Sequence, residues 1–294
     1  MPVLETTRDL STVSDEMVGL VETVGRAAGR RPVSDQLWID LMQGGRPGSL
    51  AVVARGPDGR LVGAAQASSG NETTVMQIVL DPAERLDTLG VELVRRATTE
   101  TVRDGATHLT WWVAEPSPAH HAIAGALGWR AERELLQMRR ALPTDAPVEI
   151  ETRPFRPGVD DEAWIEVNNR AFASHGEQGG WDLETLRQRM TEPWFDPEGF
   201  LVHEIGGRMV GFCWTKVHDE GDPVEGEIYV IAVDPDFHGR GLGAQLTLAG
   251  LDSIARRGID VGMLFVDAAN TAAVALYEKL GFTVHRTDVA FVRG

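Results

Sequence analysis

The sequence that decides the fold is His238-Gly239-Arg240-Gly241-Leu242-Gly243-Ala244, a glycine-rich turn between a strand-like run that ends at Val233 and an apolar pattern of helical period. A helix that begins after such a turn leaves its first backbone N–H groups unpaired, and the helix dipole adds partial positive charge there. The turn therefore predicts a site for phosphate groups. Dinucleotide-binding folds share this feature, whereas a P-loop is excluded because no Gly-Lys-Ser/Thr follows.

The pattern around this turn occurs twice in the chain. Each copy has two strand-like runs, a third run that ends in Asp-Pro, a helical stretch, a fourth strand, and Leu-Gly followed by an aromatic residue. Strands and helices in this order are typical of an α/β (α+β) fold, and the repetition predicts a tandem duplication. The segments are 50–54, 61–65, 75–82, 86–102, 109–113 and 126–129 in the first copy, and 200–204, 209–214, 227–235, 244–257, 262–266 and 279–282 in the second.

The stretch between the two copies has the composition of a linker. It runs from Ala141 to Pro147 and holds two prolines in a short polar segment. We therefore expect two domains, 1–144 and 145–294.

The composition excludes several classes of protein. The 294-residue chain is 43% hydrophobic and carries a formal net charge of −16, so it should fold as globular domains and repel nucleic acid. We find no run of about 20 apolar residues, which a membrane helix needs, and no apolar core of a signal peptide at the start. We expect a cytoplasmic monomer with no membrane partner.

Cysteine and histidine usage predicts no metal site. Cys213 is the only cysteine, which excludes an intramolecular disulfide and a cysteine-based metal cluster, and its apolar neighbours predict a buried structural thiol. The adjacent His120 and His121 point in different directions, and no further ligand is suitably spaced. Core packing and a surface loop explain these histidines better than a metal does.

The glycine-rich turn resembles the Gln/Arg-x-x-Gly-x-Gly/Ala motif of the GCN5-related N-acetyltransferase (GNAT) superfamily, which binds the pyrophosphate of coenzyme A. The preceding strand, the stretch 270–275 and Tyr277-Glu278-Lys279-Leu280-Gly281-Phe282 also match, whereas His238 stands where Gln or Arg is usual. The resemblance implies acetyl-CoA as co-substrate. The residues that it assigns to acetyl-CoA are Ile231, Ala232, Val233, His238, Gly239, Arg240, Gly241, Leu242, Gly243, Ala244, Asn270, Thr271, Ala272, Ala273, Val274 and Ala275.

The same resemblance implies the fold. We expect two tandem GNAT domains, each a mixed, mostly antiparallel sheet flanked by helices, with the substrate in the groove between them.

A narrower resemblance rests on the tandem arrangement and on four segments of the second copy. It is to a family of tandem acetyltransferases that acetylate the cysteinyl amine of a cysteinyl-glucosaminyl-inositol, the last step in making an actinobacterial thiol. The alternatives are an acetyltransferase of another small amine, such as an aminoglycoside, and a non-catalytic acyl-CoA-binding regulator. The four segments are His175-Gly176-Glu177-Gln178-Gly179-Gly180-Trp181, Glu192-Pro193-Trp194-Phe195-Asp196-Pro197, Gly211-Phe212-Cys213-Trp214-Thr215-Lys216-Val217-His218 and Glu227-Ile228-Tyr229-Val230.

Acetyl transfer to an amine needs a base, an acid and an oxyanion donor, and two side chains fit these roles. Glu227 begins the strand before the turn, so its carboxylate can face the amine; the alternative is a solvated glutamate beside Glu225. Tyr277 stands where the resemblance places the acid, and the alternative is a core tyrosine. We expect a backbone N–H near Val233 to serve the oxyanion. Intact Glu227, Tyr277 and glycine turn argue against the regulator.

The resemblance also assigns residues that bind the acceptor. They are Asp35, Glu177, Lys216, Glu227 and Phe265. Asp35 replaces a glutamate and Phe265 replaces a tyrosine of the family, so one carboxylate is shorter and one hydroxyl is missing. The alternatives are a helix cap at Ser34 or Asp35, a surface loop at Glu177, a solvated strand position for Lys216 and plain packing for Phe265.

The first copy lacks the glycine turn. Its counterpart is Arg85-Leu86-Asp87-Thr88-Leu89-Gly90, in which Asp87 stands where an anion should bind. We expect this half to be non-catalytic. It either holds a second acetyl-CoA through Ile78, Val79 and Leu80 or closes over the substrate.

Overall fold

The chain folds into two compact units. The structure is a computed structural model that describes residues 2–70, 73–173, 179–219 and 221–294. Met1–Leu135 and Thr287–Gly294 form the N-terminal unit, and Leu136–Arg286 forms the C-terminal unit. Two strands, β6 (Arg130–Ala141) and β12 (Thr283–Arg293), contain the points of division. The domains 1–144 and 145–294, which are inferred from the duplicated segments, stay a prediction. The two compact units have different bounds, because the chain passes from one unit to the other inside β6 and again inside β12.

The N-terminal unit has a sheet in the order β1-β2-β3-β4-β5-β12. Its pairs are antiparallel except for the parallel pair of β4 and β5. β12 joins this sheet from Asp288 opposite Ala114 to Arg293 opposite Leu109. The other elements are β1 (Val3–Thr7), α1 (Ser14–Ala28), α2 (Asp35–Met42), β2 (Leu50–Arg55), β3 (Leu61–Ser69), β4 (Thr74–Leu80), α3 (Val91–Arg103), β5 (Leu109–Ala114) and α4 (Pro118–Ala126).

The C-terminal unit has a sheet in the order β6-β11-β10-β9-β8-β7. β10 and β11 are parallel, whereas β10 with β9, β9 with β8 and β8 with β7 are antiparallel. Its elements are β7 (Arg153–Pro154), α5 (Asp161–Ala171), α6 (Leu183–Met190), β8 (Phe200–Ile205), β9 (Arg208–His218), β10 (Glu225–Val233), α7 (Leu242–Ala255), β11 (Val261–Asp267) and α8 (Thr271–Lys279).

Each sheet is covered by helices on both faces. In the N-terminal unit, Met17 of α1 and Leu37 of α2 pack in one apolar cluster, and Leu93 of α3 packs in the other. In the C-terminal unit, Trp164 of α5 belongs to one cluster and Leu246 of α7 to the other. Alternate residues of each strand point to opposite faces, which is why one strand feeds both clusters. The predicted fold, a mostly antiparallel sheet flanked by helices and built twice, is confirmed.

One local expectation differs in detail, and the alternative of a helix cap at Ser34 is confirmed. The helix predicted over 86–102 is a π-helical turn, Leu86–Gly90, followed by α3 from Val91. α2 begins at Asp35, because the side chain of Ser34 caps it by accepting from the backbone N–H of Leu37.

Cys213 is buried, as predicted, and this burial raises the pKa of its thiol. Among the described helices, none is both long and apolar enough to traverse a bilayer.

Candidate active site

The glycine-rich turn forms an open helix N-terminus. Gly239 and Gly241 have φ values of 76° and 77°, in the left-handed region that favours glycine, and a Cβ at either position would meet nothing within 4 Å. α7 begins directly after Gly241, and its first backbone bond runs from the N–H of Gln245 to the carbonyl of Gly241. The preceding N–H groups lack intrahelical acceptors, and the first turn carries no acidic side chain. An anion fits this helix N-terminus.

A buried aspartate anchors the chain between β10 and the turn. The side chain of Asp234 is fully buried and accepts hydrogen bonds from the guanidinium groups of Arg208 at 2.7 Å and Arg170 at 3.1 Å. It also accepts from the backbone N–H of Asp236, which caps the short 3-10 helix Pro235–Phe237. Charge-assisted hydrogen bonds of this kind fix the direction in which the chain leaves β10.

His238 ties the turn back to the strand. Its Nε2 lies 2.9 Å from the carbonyl oxygen of Val233. Because a carbonyl oxygen only accepts, Nε2 must carry the proton in this contact. The histidine that replaces the usual Gln or Arg thus holds the end of β10 against the start of the turn.

Arginine side chains add positive charge beside the turn. The guanidinium of Arg240 lies 4.8 Å from the ring centroid of Phe237, and that of Arg208 lies 5.7 Å from the same centroid. Such cation–π contacts hold a guanidinium in place while leaving its edge available. Because Arg208 is paired with Asp234, the charge that favours an anionic ligand beside the turn is that of Arg240, although the chain as a whole is acidic.

β10 has an open edge next to the turn. Its parallel pairing with β11 covers only Gly226 to Ile228, whereas its antiparallel pairing with β9 continues to Val233. The register with β9 shifts between Ile228 and Val230, which indicates a β-bulge. On the side of β11, the backbone of Ile231, Ala232 and Val233 can pair with an extended ligand instead of a strand. The fit to acetyl-CoA therefore has two parts, this edge and the helix N-terminus.

Glu227 and Lys216 are buried on one face of the sheet. They stand directly opposite each other on β10 and β9, so their side chains share a face, and they are 6% and 5% exposed. The ammonium of Lys216 lies 4.8 Å from the ring centroid of Trp194 and 5.6 Å from that of Tyr229. Oε2 of Glu227 lies 2.6 Å from Nε2 of His218. The alternatives of a solvated Glu227 and a solvated Lys216 are wrong, while the proposed roles stay predictions.

Tyr277 lies in the core of the C-terminal unit. It is 8% exposed and packs edge-to-face on Phe282, with a centroid distance of 5.8 Å. Burial raises the pKa of its phenol to about 12 because the phenolate would lose its hydration. The group therefore keeps its proton at neutral pH, as an acid must. Its place in the core also fits the packing alternative, and the acid role stays a prediction.

The raised pKa of Tyr277 can be measured directly, because the chain has only two tyrosines, Tyr229 and Tyr277. We expect the difference in phenolate absorbance between the wild type and Tyr277→Phe to stay flat past the ordinary tyrosine pKa of about 10. Subtraction removes the signal of Tyr229. A difference curve with its midpoint at the ordinary value would contradict the burial effect.

Asn270, which the resemblance assigns to acetyl-CoA binding, caps the start of α8. Its side-chain oxygen accepts from the backbone N–H of Ala273 at 3.1 Å. Thr271 and Ala272 are exposed beside this cap. The stretch 270–275 thus begins the helix that also carries Tyr277, and its contact with acetyl-CoA stays a prediction.

The remaining acceptor residues lie in different places. Asp35 lies in the N-terminal unit, where Arg31 forms an ion pair with it at 3.5 Å; Ser34, not Asp35, is the helix cap. Phe265 lies on β11 under the guanidinium of Arg286, 5.4 Å from its ring centroid. Glu177 lies outside the described residues. Within the described part of the chain, no group of three or more His, Cys, Asp or Glu side chains could hold a metal ion.

The N-terminal copy keeps the open edge but lacks the anion site. β4 pairs with β5 only from Thr74 to Met76, which leaves Ile78, Val79 and Leu80 unpaired on that side. At the helix start, Nε of Arg85 donates to Asp87 at 2.9 Å, and Gly90 has an ordinary helical φ of −60°. The carboxylate occupies the first turn of the π-helix, so a phosphate group would meet a negative charge there.

Two features of the site were not predicted from the sequence. One is His218, although Lys216-Val217-His218 lies on a strand whose alternate residues share a face. The other is the anchor at Asp234, for which the sequence did carry a signal. An Asp-Pro pair ends the third strand in both copies, and Asp81 accepts from the backbone N–H of Ala83 as Asp234 does from Asp236.

Comparison with known sequences identifies close relatives along the whole chain. The sequence model of the Acetyltransferase (GNAT) family matches residues 162–282. A mycothiol acetyltransferase of Thermobispora bispora is 41% identical over 287 residues, which cover 95% of each chain. Another, from Geodermatophilus obscurus, is 40% identical over 302 residues, which cover 97% of each chain.

Comparison with solved structures shows the same fold. A GCN5-related N-acetyltransferase from Sphaerobacter thermophilus is 22% identical and has a TM-score of 0.73, covering 99% of this chain and 95% of its own. A tandem GNAT protein from the clavulanic acid biosynthesis pathway is 18% identical and has a TM-score of 0.72, covering 99% and 98%. With about 40% identity to full-length relatives, the duplicated fold and the glycine-rich turn, the chain belongs to the mycothiol acetyltransferase family of GNAT acyltransferases.

Proposed function

We propose that this protein transfers the acetyl group of acetyl-CoA to the cysteinyl amine of 1D-myo-inositol 2-(L-cysteinylamino)-2-deoxy-glucopyranoside, giving mycothiol and CoA. The names of its relatives support this acceptor. The observation that carries the chemistry is the buried carboxylate of Glu227, the third residue of β10, whose other end leads to the glycine-rich turn. Base and cofactor site thus lie on one continuous piece of chain.

Acetyl-CoA supplies the acetyl group activated as a thioester. The N–H groups at the start of α7 would hold its pyrophosphate, helped by Arg240, and the open edge of β10 would hold its pantetheine arm. The residues at the start of α8, from Asn270 to Ala275, complete the proposed cofactor set. A backbone N–H near Val233 would donate to the carbonyl oxygen as it gains negative charge.

Two side chains move protons in the proposed reaction. The carboxylate of Glu227 accepts the proton that the amine loses as the new N–C bond forms. The phenol of Tyr277 supplies the proton that the departing thiolate takes up as the C–S bond breaks. Burial raises the pKa of this phenol to about 12, so it is protonated at neutral pH and can donate a hydrogen bond to the sulfur as negative charge develops there. The raised pKa also makes the phenol a weaker acid than an ordinary tyrosine, so the thiolate takes up the proton only as it leaves the site.

We assign acceptor binding to the polar residues named from the sequence. Lys216 and Glu227 provide charged hydrogen-bond partners on one face of the sheet. A polyhydroxylated acceptor needs such partners, because each unpaired polar group would be costly in a pocket. Asp35 and Glu177 would add carboxylates, and Phe265 would contribute packing in place of a hydroxyl.

The N-terminal copy has a different proposed role. The ion pair of Arg85 and Asp87 and the absence of a left-handed glycine in the described turn both argue against catalysis there. We propose that this copy can hold a second acetyl-CoA along the open strand edge at Ile78, Val79 and Leu80, although it has no phosphate site. Beyond acetyl-CoA and one small amine we propose no partner, and the net charge of −16 disfavours nucleic acid.

A panel of amines tests the acceptor. Purified protein is incubated with acetyl-CoA and the cysteinyl pseudodisaccharide, the same pseudodisaccharide without cysteine, or an aminoglycoside, and the release of free CoA is followed. We expect kcat/KM for the cysteinyl compound to exceed the others by at least about 100-fold, since a site built for a polar group rejects analogues that lack it. A higher kcat/KM for the aminoglycoside would show that the acceptor is an aminoglycoside and not the cysteinyl compound. Absence of turnover with every amine, despite acetyl-CoA binding, would favour the regulator.

A further inference from the structure

His218 is a partly buried residue that contacts Glu227 and has no role in the reaction proposed above. It ends β9, opposite Glu225 and diagonal to Glu227 across the pair of strands. Residues related in this way share a face, and diagonal neighbours lie within reach of long side chains. The distance from Nε2 of His218 to Oε2 of Glu227 is 2.6 Å, and their side chains are 28% and 8% exposed.

The neighbouring charged groups do not compete for this contact. Glu225, which stands directly opposite His218, forms an ion pair with Arg139 at 2.9 Å. Lys216 lies two residues along the strand, with its ammonium over the rings of Trp194 and Tyr229. The imidazole is thus directed to the carboxylate of Glu227.

We propose that His218 is a positioning residue for Glu227, and this proposal rests on the role of Glu227 as the base. The N–H at Nε2 donates to Oε2 and fixes the rotation of the carboxylate, so that Oε1 is the oxygen presented to the acceptor amine. A carboxylate held by one oxygen cannot turn away between encounters with the substrate. The gain comes from orientation, which strongly affects rate when the reacting atoms must lie near 3 Å apart.

The first step of the test compares two substitutions at one position. His218→Ala removes the donor, and we expect kcat with the cysteinyl pseudodisaccharide to fall by up to about 100-fold, while the Kd for acetyl-CoA stays unchanged. His218→Gln restores an N–H at similar reach, so it should recover most of the lost turnover. His218→Leu fills similar volume without a donor, so it should not recover turnover, and recovery in this variant would indicate a packing role alone. His285→Ala, an exposed histidine on β12, is the matched control and should retain wild-type turnover.

The second step is a double-mutant cycle with Glu227. If His218 acts through the carboxylate, His218→Ala should have little further effect on kcat in a Glu227→Gln background, so the two losses will not add. Additive losses would overturn the positioning role while leaving Glu227 as the base. Wild-type turnover in Glu227→Gln would instead reject the base itself, and equal turnover in His218→Ala and wild type would reject His218. A urea melt of each variant separates a catalytic loss from unfolding.

Discussion

Glu227→Gln is expected to lower kcat by about 10²- to 10⁴-fold, which is the usual contribution of a general base. The amide has nearly the shape of the carboxylate, so it can still accept from Nε2 of His218 and fill the same buried position. What it loses is the ability to accept the proton of the amine. The Kd for acetyl-CoA should not change, because the turn at 238–244 and the open edge of β10 are untouched.

Two measurements on the same variant check this prediction. CoA release gives kcat, and calorimetric titration gives the Kd for acetyl-CoA. Glu225→Gln is the matched control, since it neutralises a carboxylate two residues away that is paired with Arg139 instead of facing the proposed acceptor. A Glu227→Gln enzyme that turns over like the wild type would contradict the base assignment, and equal losses in both variants would indicate a general effect of charge on this face.

Most of the fold could be predicted from local sequence patterns. Apolar runs predicted the strands β2, β3 and β4, and the periodic apolar residues of α3 and α7 predicted helices that cover a sheet. Alternation in these runs indicated half-buried strands, which is wrong for β2 and β3, because helices cover both faces of the sheet there. The pairing of β12 with β5 could not be predicted in this way. Periodicity reports which face of a strand is buried, and the partner of a strand that is distant in sequence depends on contacts outside the pattern.

In the candidate site, too, local features could be predicted from the sequence, whereas contacts between strands could not. The glycines of the turn could be predicted because their role is local, a left-handed backbone at Gly239 and Gly241. The contact of His218 with Glu227 depends on the register of β9 with β10, and a slip of one residue would move His218 to the other face. The bulge between Ile228 and Val230 sets that register, and the sequence carries no clear signal for it.

Gly241→Glu is expected to raise the Kd for acetyl-CoA by at least about 100-fold, or about 2.7 kcal/mol. The substitution places a carboxylate at the N-terminus of α7, where it takes the place of the phosphate charge and repels it. A Cβ at Gly241 meets nothing within 4 Å, so the side chain can be accommodated, and the left-handed φ of 77° should cost about 1–2 kcal/mol of stability. Titration with acetyl-CoA measures the effect.

Gly258→Glu separates the loss of the anion site from backbone strain. Gly258 follows α7 with a φ of 78° and equally open surroundings, so the same side chain meets the same conformational penalty at the other end of the helix. Both variants should lose stability in urea, Gly258→Glu somewhat more because a carboxylate is unfavourable near the C-terminus of a helix, and only Gly241→Glu should lose acetyl-CoA. Gly241→Ala, which adds strain without charge, should bind with intermediate affinity. If both glutamate variants weaken acetyl-CoA equally, the effect comes from the strained backbone and the helix N-terminus is not the pyrophosphate site.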